Sequence, residues 1–320
     1  MSRSIHYDIL RIIACLMVIM THSPIPHEGW YGPLLSGLSY LCNPCIGLFF
    51  MISGALLLNK HYKEPFVLSD FLKKRLSRIL FPTLFWFAVG YCLTSLGIKN
   101  SERAILWFMY VLAGLYLLTP ILLRWLNHAK RREVEFYLLL WGVSLCYPLL
   151  NSFIHISVST KSWIYYFYGY AGYYVLGYYL SKYELNKPIL IGFILSFLFF
   201  SIAHPLIVLV EGLDVNFYSV FYYLSISIAL QCVAWWLLIK YTSSFFEAGR
   251  RPIENISKMS FGIYLIHVLV LRNFLWKLSW IQSLSGITQI LICTVLTFLL
   301  SYLFCWILSI FRFGKYIIGV

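Results

Sequence analysis

Apolar runs of about 18 to 25 residues recur along the chain, each bounded by charges or turn residues, and that is the length a helix needs to cross roughly 30 Å of hydrocarbon. The spacing predicts ten helices, over residues 7–23, 36–58, 76–97, 106–125, 136–151, 163–181, 189–209, 217–239, 260–276 and 286–311. The fifth and ninth are short, and the last is long enough to tilt. The polar stretches 59–75 and 240–259 read as loops. No stretch outside the runs is long enough for a second folded domain, so the chain reads as one all-α transmembrane domain over residues 1–320, without a fused extracytoplasmic domain.

Composition agrees with this pattern. Hydrophobic residues make up 61% of the chain and charged ones 12%, against about 25% charged in a soluble domain. Lys and Arg number 25 against 12 Asp and Glu, a balance that in a soluble chain raises the question of nucleic acid. Here the cations flank the apolar spans, so nucleic acid is not an expected partner and membrane lipid is. Basic residues resist translocation, and with the N-terminus inside, nineteen of the cations fall on the cytoplasmic side. Only Lys99, Arg103, Lys161 and Lys277 fall on the other, and Arg11 and Arg272 lie within or at the ends of spans. Both termini are therefore expected in the cytoplasm, with the chain multi-pass in a bacterial-type cytoplasmic membrane. Asp8 and Arg11 interrupt the first run, which reads as a retained span rather than a cleaved signal peptide. Of eight cysteines only Cys42 and Cys45 are close. With no second pair to complete a site they read as small buried residues, and no metal is expected.

Ionisable groups inside a span cost roughly 2.5 to 3.5 kcal/mol at its centre and demand a reason. The first span carries Asp8, Arg11 and His22. Eleven positions separate Arg11 from His22, three helical turns plus about 20°, so both project from one face about 16 Å apart along the axis. Asp8 stands one turn before Arg11 and is placed to pair with it at i,i+3. At the cytoplasmic start of the third span Arg75 and Arg78 are likewise three apart, a spacing that suits holding one phosphate group with two planar forks and that the positive-inside rule also explains. In the ninth span Tyr264 and His267 share a face, where a helix-to-helix hydrogen bond or a pocket lining is the expected role. Trp107 and Tyr110 fall at an outer interface, in an aromatic belt or lining a sugar site.

These residues resemble the acyltransferase-3 family of membrane O-acyltransferases. The resemblance rests on the Arg11 and His22 arrangement within Tyr-Asp-Ile-Leu-Arg and Thr-His-Ser, and on Phe49-Phe50-Met51-Ile52-Ser53-Gly54. It rests also on the Arg75/Arg78 pair, on Leu106-Trp107-Phe108-Met109-Tyr110 followed by Gly114, Tyr116 and Pro120, and on Ser260-Phe261-Gly262-Ile263-Tyr264-Leu265-Ile266-His267. Position 105 is a departure, Ile where a histidine often precedes the Leu-Trp-Phe run. The resemblance implies about ten helices that move an acyl group, usually acetyl from acetyl-CoA, to a hydroxyl of an envelope or secreted carbohydrate or its lipid-linked precursor. It is closest to the stand-alone members that modify O-antigen, enterobacterial common antigen or exopolysaccharide.

On that reading acyl-CoA is a donor substrate and no cofactor is permanently bound. The donor is made in the cytosol, where Arg75 and Arg78 meet its phosphates. His22 and Arg11 are the expected catalytic residues, with Asp8, Ser53, Trp107, Tyr110, Tyr264 and His267 as pocket candidates. An imidazole is suited to take a proton from a hydroxyl at neutral pH, or to accept the acyl group and pass it on, and spacing does not separate the two. A transporter or flippase of a lipid-linked sugar would instead use Arg11 and His22 to line its path. The charge count predicts that residues 59–75 and 240–259 are cytoplasmic and residues 24–35 extracytoplasmic. Cysteines placed in these segments, in a background without the native ones, should label from those sides only, and labelling of 59–75 from outside alone would reverse the orientation.

Overall fold

The structure is a computed structural model of the chain, and it describes residues 4–23, 40–60, 67–95, 107–154, 159, 162–185, 191–196, 198–199, 201–202 and 222–319. In chain order the helices are α1 Ile5–His22, α2 Pro44–Leu58, α3 Leu68–Ser95, α4 Trp107–His128, α5 Arg131–Leu145, α6 Tyr147–Ile154 and α7 Ile164–Phe167. They continue with α8 Ala171–Lys182, α9 Ile226–Thr242, α10 Arg250–Lys258, α11 Ser260–Val268, α12 Ser279–Gln282, α13 Gly286–Ile310 and α14 Arg312–Ile318. Among the described residues there is no strand.

Among the described residues, seven helical stretches are long and apolar enough to cross a membrane: Ile5–His22, Tyr40–Leu58, Leu68–Ser95, Trp107–His128, Arg131–Asn151, Ile226–Lys258 and Gly286–Ile310. The three remaining expected spans differ for separate reasons. The run 163–181 is broken where Gly169 takes a positive φ of 146°, its carbonyl accepting from Trp141 Nε1, so that it is divided into the four-residue α7 and the twelve-residue α8. The run 260–276 is helical throughout, but passes from α11 into a π-helix, Leu269–Phe274, and then a 3-10 turn, Leu275–Lys277. The run 189–209 is helical at 191–196, and much of it lies outside the described residues. So do residues 24–35 and position 105.

Two stretches expected as loops are helical in part, the first from residue 68 on. α3 begins at Leu68, so Lys73, Lys74, Arg75 and Arg78 ride on its first turns. Residues 240–259 run from the end of α9 through a 3-10 stretch, Ser243–Gly249, into α10. Arg250 explains the second case: it donates to Glu247 at 2.6 Å and lies 3.6 Å from Glu254, so that i,i+3 and i,i+4 pairs offset the lack of apolar residues.

The chain divides into two compact units. The first comprises Met1–Pro26, Tyr62–Pro120 and Phe246–Val320, the second His27–His61 and Ile121–Phe245. In the second, α2 and α8 form the most extensive helix pair, and α9 packs on α2 while α5 packs on α8. A Cβ at Gly54 would overlap the Tyr174 carbonyl, and one at Gly177 would overlap the Met51 carbonyl. Two glycines, one per helix, thus let the backbones touch, as small residues do where no hydrophobic drive separates helix from lipid. Asn59 donates to Ser181 at the end of the same pair. In the first unit α1 packs against α10, α11 and α13, and α14 packs against α3 and α13. Trp86 Nε1 donates to the Ile317 carbonyl at 3.2 Å and fixes α14 on α3.

Replacing Gly54 or Gly177 with Leu should destabilise the protein by about 1–3 kcal/mol or more through overpacking. The check is the thermal midpoint in detergent, and an unchanged midpoint would refute the close contact.

Candidate active site

All of the site described here belongs to the first unit. α1 is a continuous helix up to His22, where Ser23 turns extended, so Arg11 and His22 lie at the two ends of one rod. Asp8 is 1% exposed, and its Oδ1 lies 3.6 Å from Arg11 Nη1. The Ser257 hydroxyl, itself buried on α10, donates to the same oxygen at 2.6 Å. A buried carboxylate needs both a counter-charge and donors, and here one residue of its own helix and one of α10 supply them. Arg11 keeps 27% of its side chain exposed, so the pair offers a guanidinium held from behind.

Seven residues further along α1, Cys15 Sγ contacts the Ser260 carbonyl at 3.4 Å, at the start of α11. Another seven residues along, the His22 ring faces that of His267, with centroids 5.4 Å apart and planes tilted by 39°. The Cys15–Ser260 and His22–His267 pairs have the same sequence offset, which means that α1 and α11 run parallel and in register for two turns. Seven residues are close to two turns, so Asp8, Cys15 and His22 form one stripe down α1. Beside His22, Ser23 Oγ lies 3.2 Å from Thr294 Oγ1 and ties the end of α1 to α13.

His267 is fully buried, and its Nδ1 meets the Tyr264 carbonyl one turn back. A carbonyl only accepts, so Nδ1 carries the proton and, in the neutral ring, Nε2 carries the lone pair. No described residue hydrogen-bonds that Nε2. Tyr264 stacks beside His267 at 5.6 Å and against Phe108 at 5.0 Å, and Phe108 in turn meets Trp107 at 6.5 Å. Arg272, in the π-helix that follows α11, is a charged neighbour whose field reaches both imidazoles.

Arg75 and Arg78 ride on α3 one turn apart, the first half-buried and the second exposed. Among the described residues neither forms an ion pair. α14, carrying Arg312 and Lys315, flanks this end: Phe81 meets Phe313 at 5.9 Å and Tyr316 at 6.3 Å. Four cations therefore share one end of the α3–α14 pair.

Of the residues singled out from sequence, Asp8 joins Arg11 at the expected spacing, and His22, Tyr264 and His267 come together. Trp107 meets Phe108, which in turn meets Tyr264. Tyr110 does not join it: its ring is 63% exposed on the outer side of α4, because the inner side of that turn is taken by Phe108 and Met109. Ser53 lies in the second unit and donates to Phe49 of its own helix at 2.8 Å. Spacing gave no hint of Ser257, Ser260 or Thr294, since each acts across more than 240 residues of chain. Ser260 does open the Ser260–His267 run on which the family resemblance rests, but nothing in that run points to Cys15.

The family model described as an acyltransferase domain matches residues 5–306, which takes in every residue of this site except Arg312 and Lys315. No curated protein and no solved structure matches the chain.

Ser257→Ala should cost about 1.5–3 kcal/mol, the range for a hydrogen bond to a charged group, and Ser257→Thr should cost less because the hydroxyl is kept. Thermal midpoints in detergent measure both, and an alanine variant as stable as the parent would mean that Asp8 is satisfied without α10.

Proposed function

We infer the reaction from a plain premise: the chain belongs to the acyltransferase-3 family and is a membrane acyltransferase. We propose that it transfers an acyl group, acetyl from cytosolic acetyl-CoA, to a hydroxyl of an envelope or secreted polysaccharide or of its lipid-linked precursor. The observation that carries this reading is the single helix α1, with a guanidinium held by a buried carboxylate at one end and an imidazole facing a second imidazole at the other.

The chemistry divides along that helix. The phosphates of the donor are held at the cationic end by Arg75 and Arg78, whose planar forks suit phosphate oxygens. Arg11 holds the donor from within the first unit. At the far end His22 takes the proton of the acceptor hydroxyl as its oxygen attacks the thioester carbonyl carbon. The new C–O bond forms, the C–S bond breaks, and the thiol leaves protonated as free CoA. The half-buried position of His22 and the second imidazole 5.4 Å away support its role as the base. The excess of cations on one side of the spans supports a cytoplasmic N-terminus and a bacterial cytoplasmic membrane.

Purified protein with labelled acetyl-CoA and a panel of envelope glycans should yield covalently acetylated glycan, whereas a folded protein that leaves every acceptor unaltered favours a transporter of a lipid-linked sugar. His22→Ala should keep donor binding and lose about 10² to 10⁴ in turnover, and Arg11→Lys should also be impaired because lysine keeps the charge without the fork. Near-normal turnover of His22→Ala, measured per folded molecule by mass spectrometry of the glycan, would remove it from the chemistry. Arg75→Ala and Arg78→Ala should weaken acetyl-CoA binding more than acceptor binding. Unchanged donor affinity would leave these arginines to the positive-inside rule.

A further inference from the structure

His267 does more than line the pocket. It is wholly buried, yet only one of its two nitrogens is used: Nδ1 is spent on the Tyr264 carbonyl, and Nε2 is left as a buried acceptor without a described partner. A buried polar atom left unsatisfied costs about 1–3 kcal/mol, so a fully structural histidine would be expected to use both ends. The α13 helix, which packs on α11 and α1, adds Thr297 Oγ1 and Ser301 Oγ, both fully buried and without a described partner. Three such atoms therefore lie on two mutually packed helices.

A second imidazole lies against the His267 ring, that of His22. At 5.4 Å between centroids, two imidazoles come within hydrogen-bond range of about 3 Å once a nitrogen of each faces the other. No described residue holds the His22 ring by a hydrogen bond. His267 is not free to turn, because the Tyr264 carbonyl fixes its proton and therefore its lone pair. The element with a fixed polarity is thus the buried one, and the element that adjusts is the one that reaches the substrate.

We propose that His267 is a positioning residue for His22: its Nε2 accepts a hydrogen bond from one His22 N–H, which leaves the other His22 nitrogen unprotonated and facing the acceptor hydroxyl. This rests on the proposed acyl transfer. The proton balance is simple. The hydroxyl proton passes to the free nitrogen of His22, and His22 becomes an imidazolium whose second N–H is already held by His267. His267 stays neutral throughout, which matters where Arg272 is already a charged neighbour of both rings. A neutral acceptor takes the place that a carboxylate takes in hydrolase triads, fixing tautomer and orientation without accepting the proton.

Two substitutions separate this role from packing. His267→Asn keeps an amide N–H that reaches the Tyr264 carbonyl but removes the atom at the Nε2 position, whereas His267→Gln places an amide oxygen there. In the acetyl transfer assay His267→Asn should lower kcat about 10²-fold with the KM for acetyl-CoA within about twofold, and His267→Gln should recover about tenfold of that loss. A second readout needs no transfer at all: the rate at which diethyl pyrocarbonate modifies His22, followed by peptide mass spectrometry, should fall at least about threefold in His267→Asn and return in His267→Gln, because an accepted hydrogen bond makes the remaining nitrogen more nucleophilic. Both readouts are taken below the lowest melting midpoint of the three proteins. Turnover and labelling that are indifferent to His267→Asn in an active parent, or a glutamine variant no better than the asparagine one, would overturn the positioning role alone. A parent that transfers no acetyl, while its His22 labelling still depends on His267, would overturn the proposed function and keep the imidazole pair.

Discussion

A carboxylate out of reach of water, on a helix that crosses lipid, is the constraint from which the first unit is built. Asp8 is 1% exposed, and leaving it unpaired would cost several kcal/mol. It is satisfied from two directions, by Arg11 on its own helix and by Ser257 on α10. The second of these is the consequential one. Because α10 leads directly into α11, docking Ser257 on Asp8 sets the depth at which α11 starts beside α1. Cys15 then meets the Ser260 carbonyl, and two turns later the same register brings His267 to His22. An ion pair at one end of a helix thereby fixes which ring stands opposite the imidazole at the other.

The second unit solves a different problem by different means. Its central contact, α2 on α8, uses no charge: Gly54 and Gly177 each sit where the other helix's backbone passes, and Asn59 to Ser181 closes the end. In lipid the gain from such contact is van der Waals packing and not the release of water, so it needs close approach, and close approach needs the missing Cβ. Ser53, a pocket candidate from sequence, stands next to one of these glycines. Ser53 bonds back to its own helix while its neighbour does the packing.

What the sequence made legible follows from what is local. Apolar length placed seven spans, and the i,i+3 and i,i+11 spacings on α1 placed Asp8, Arg11 and His22 on one stripe, because a helix makes those relations inevitable. Relations across the chain were not legible. Nothing near Ser257 says that it will meet residue 8, and nothing near Tyr110 says that its helix will turn Phe108 inward instead. The errors at 59–75 and 240–259 have a shared cause: charge was read as loop, whereas Arg250 with Glu247 and Glu254 shows charges sustaining a helix through i,i+3 and i,i+4 pairs. The break at Gly169 was hidden inside an apolar run, since hydropathy does not report a positive φ.

The π-helix after α11 supplies the last piece of the geometry. Arg272 stands five residues beyond His267, and in a continuous α-helix five residues correspond to about 500°, which would place them roughly 140° apart around the axis. The i→i+5 pattern of Leu269–Phe274 widens the turn and brings residues five apart towards one face. Arg272 is accordingly a charged neighbour of both His267 and His22, although it lies at the far end of an apolar span. The guanidinium whose field reaches the imidazole pair thus sits in the widened turn. The irregular stretch of this span is also the one that carries Arg272, the third charged or ionisable group acting on the pair.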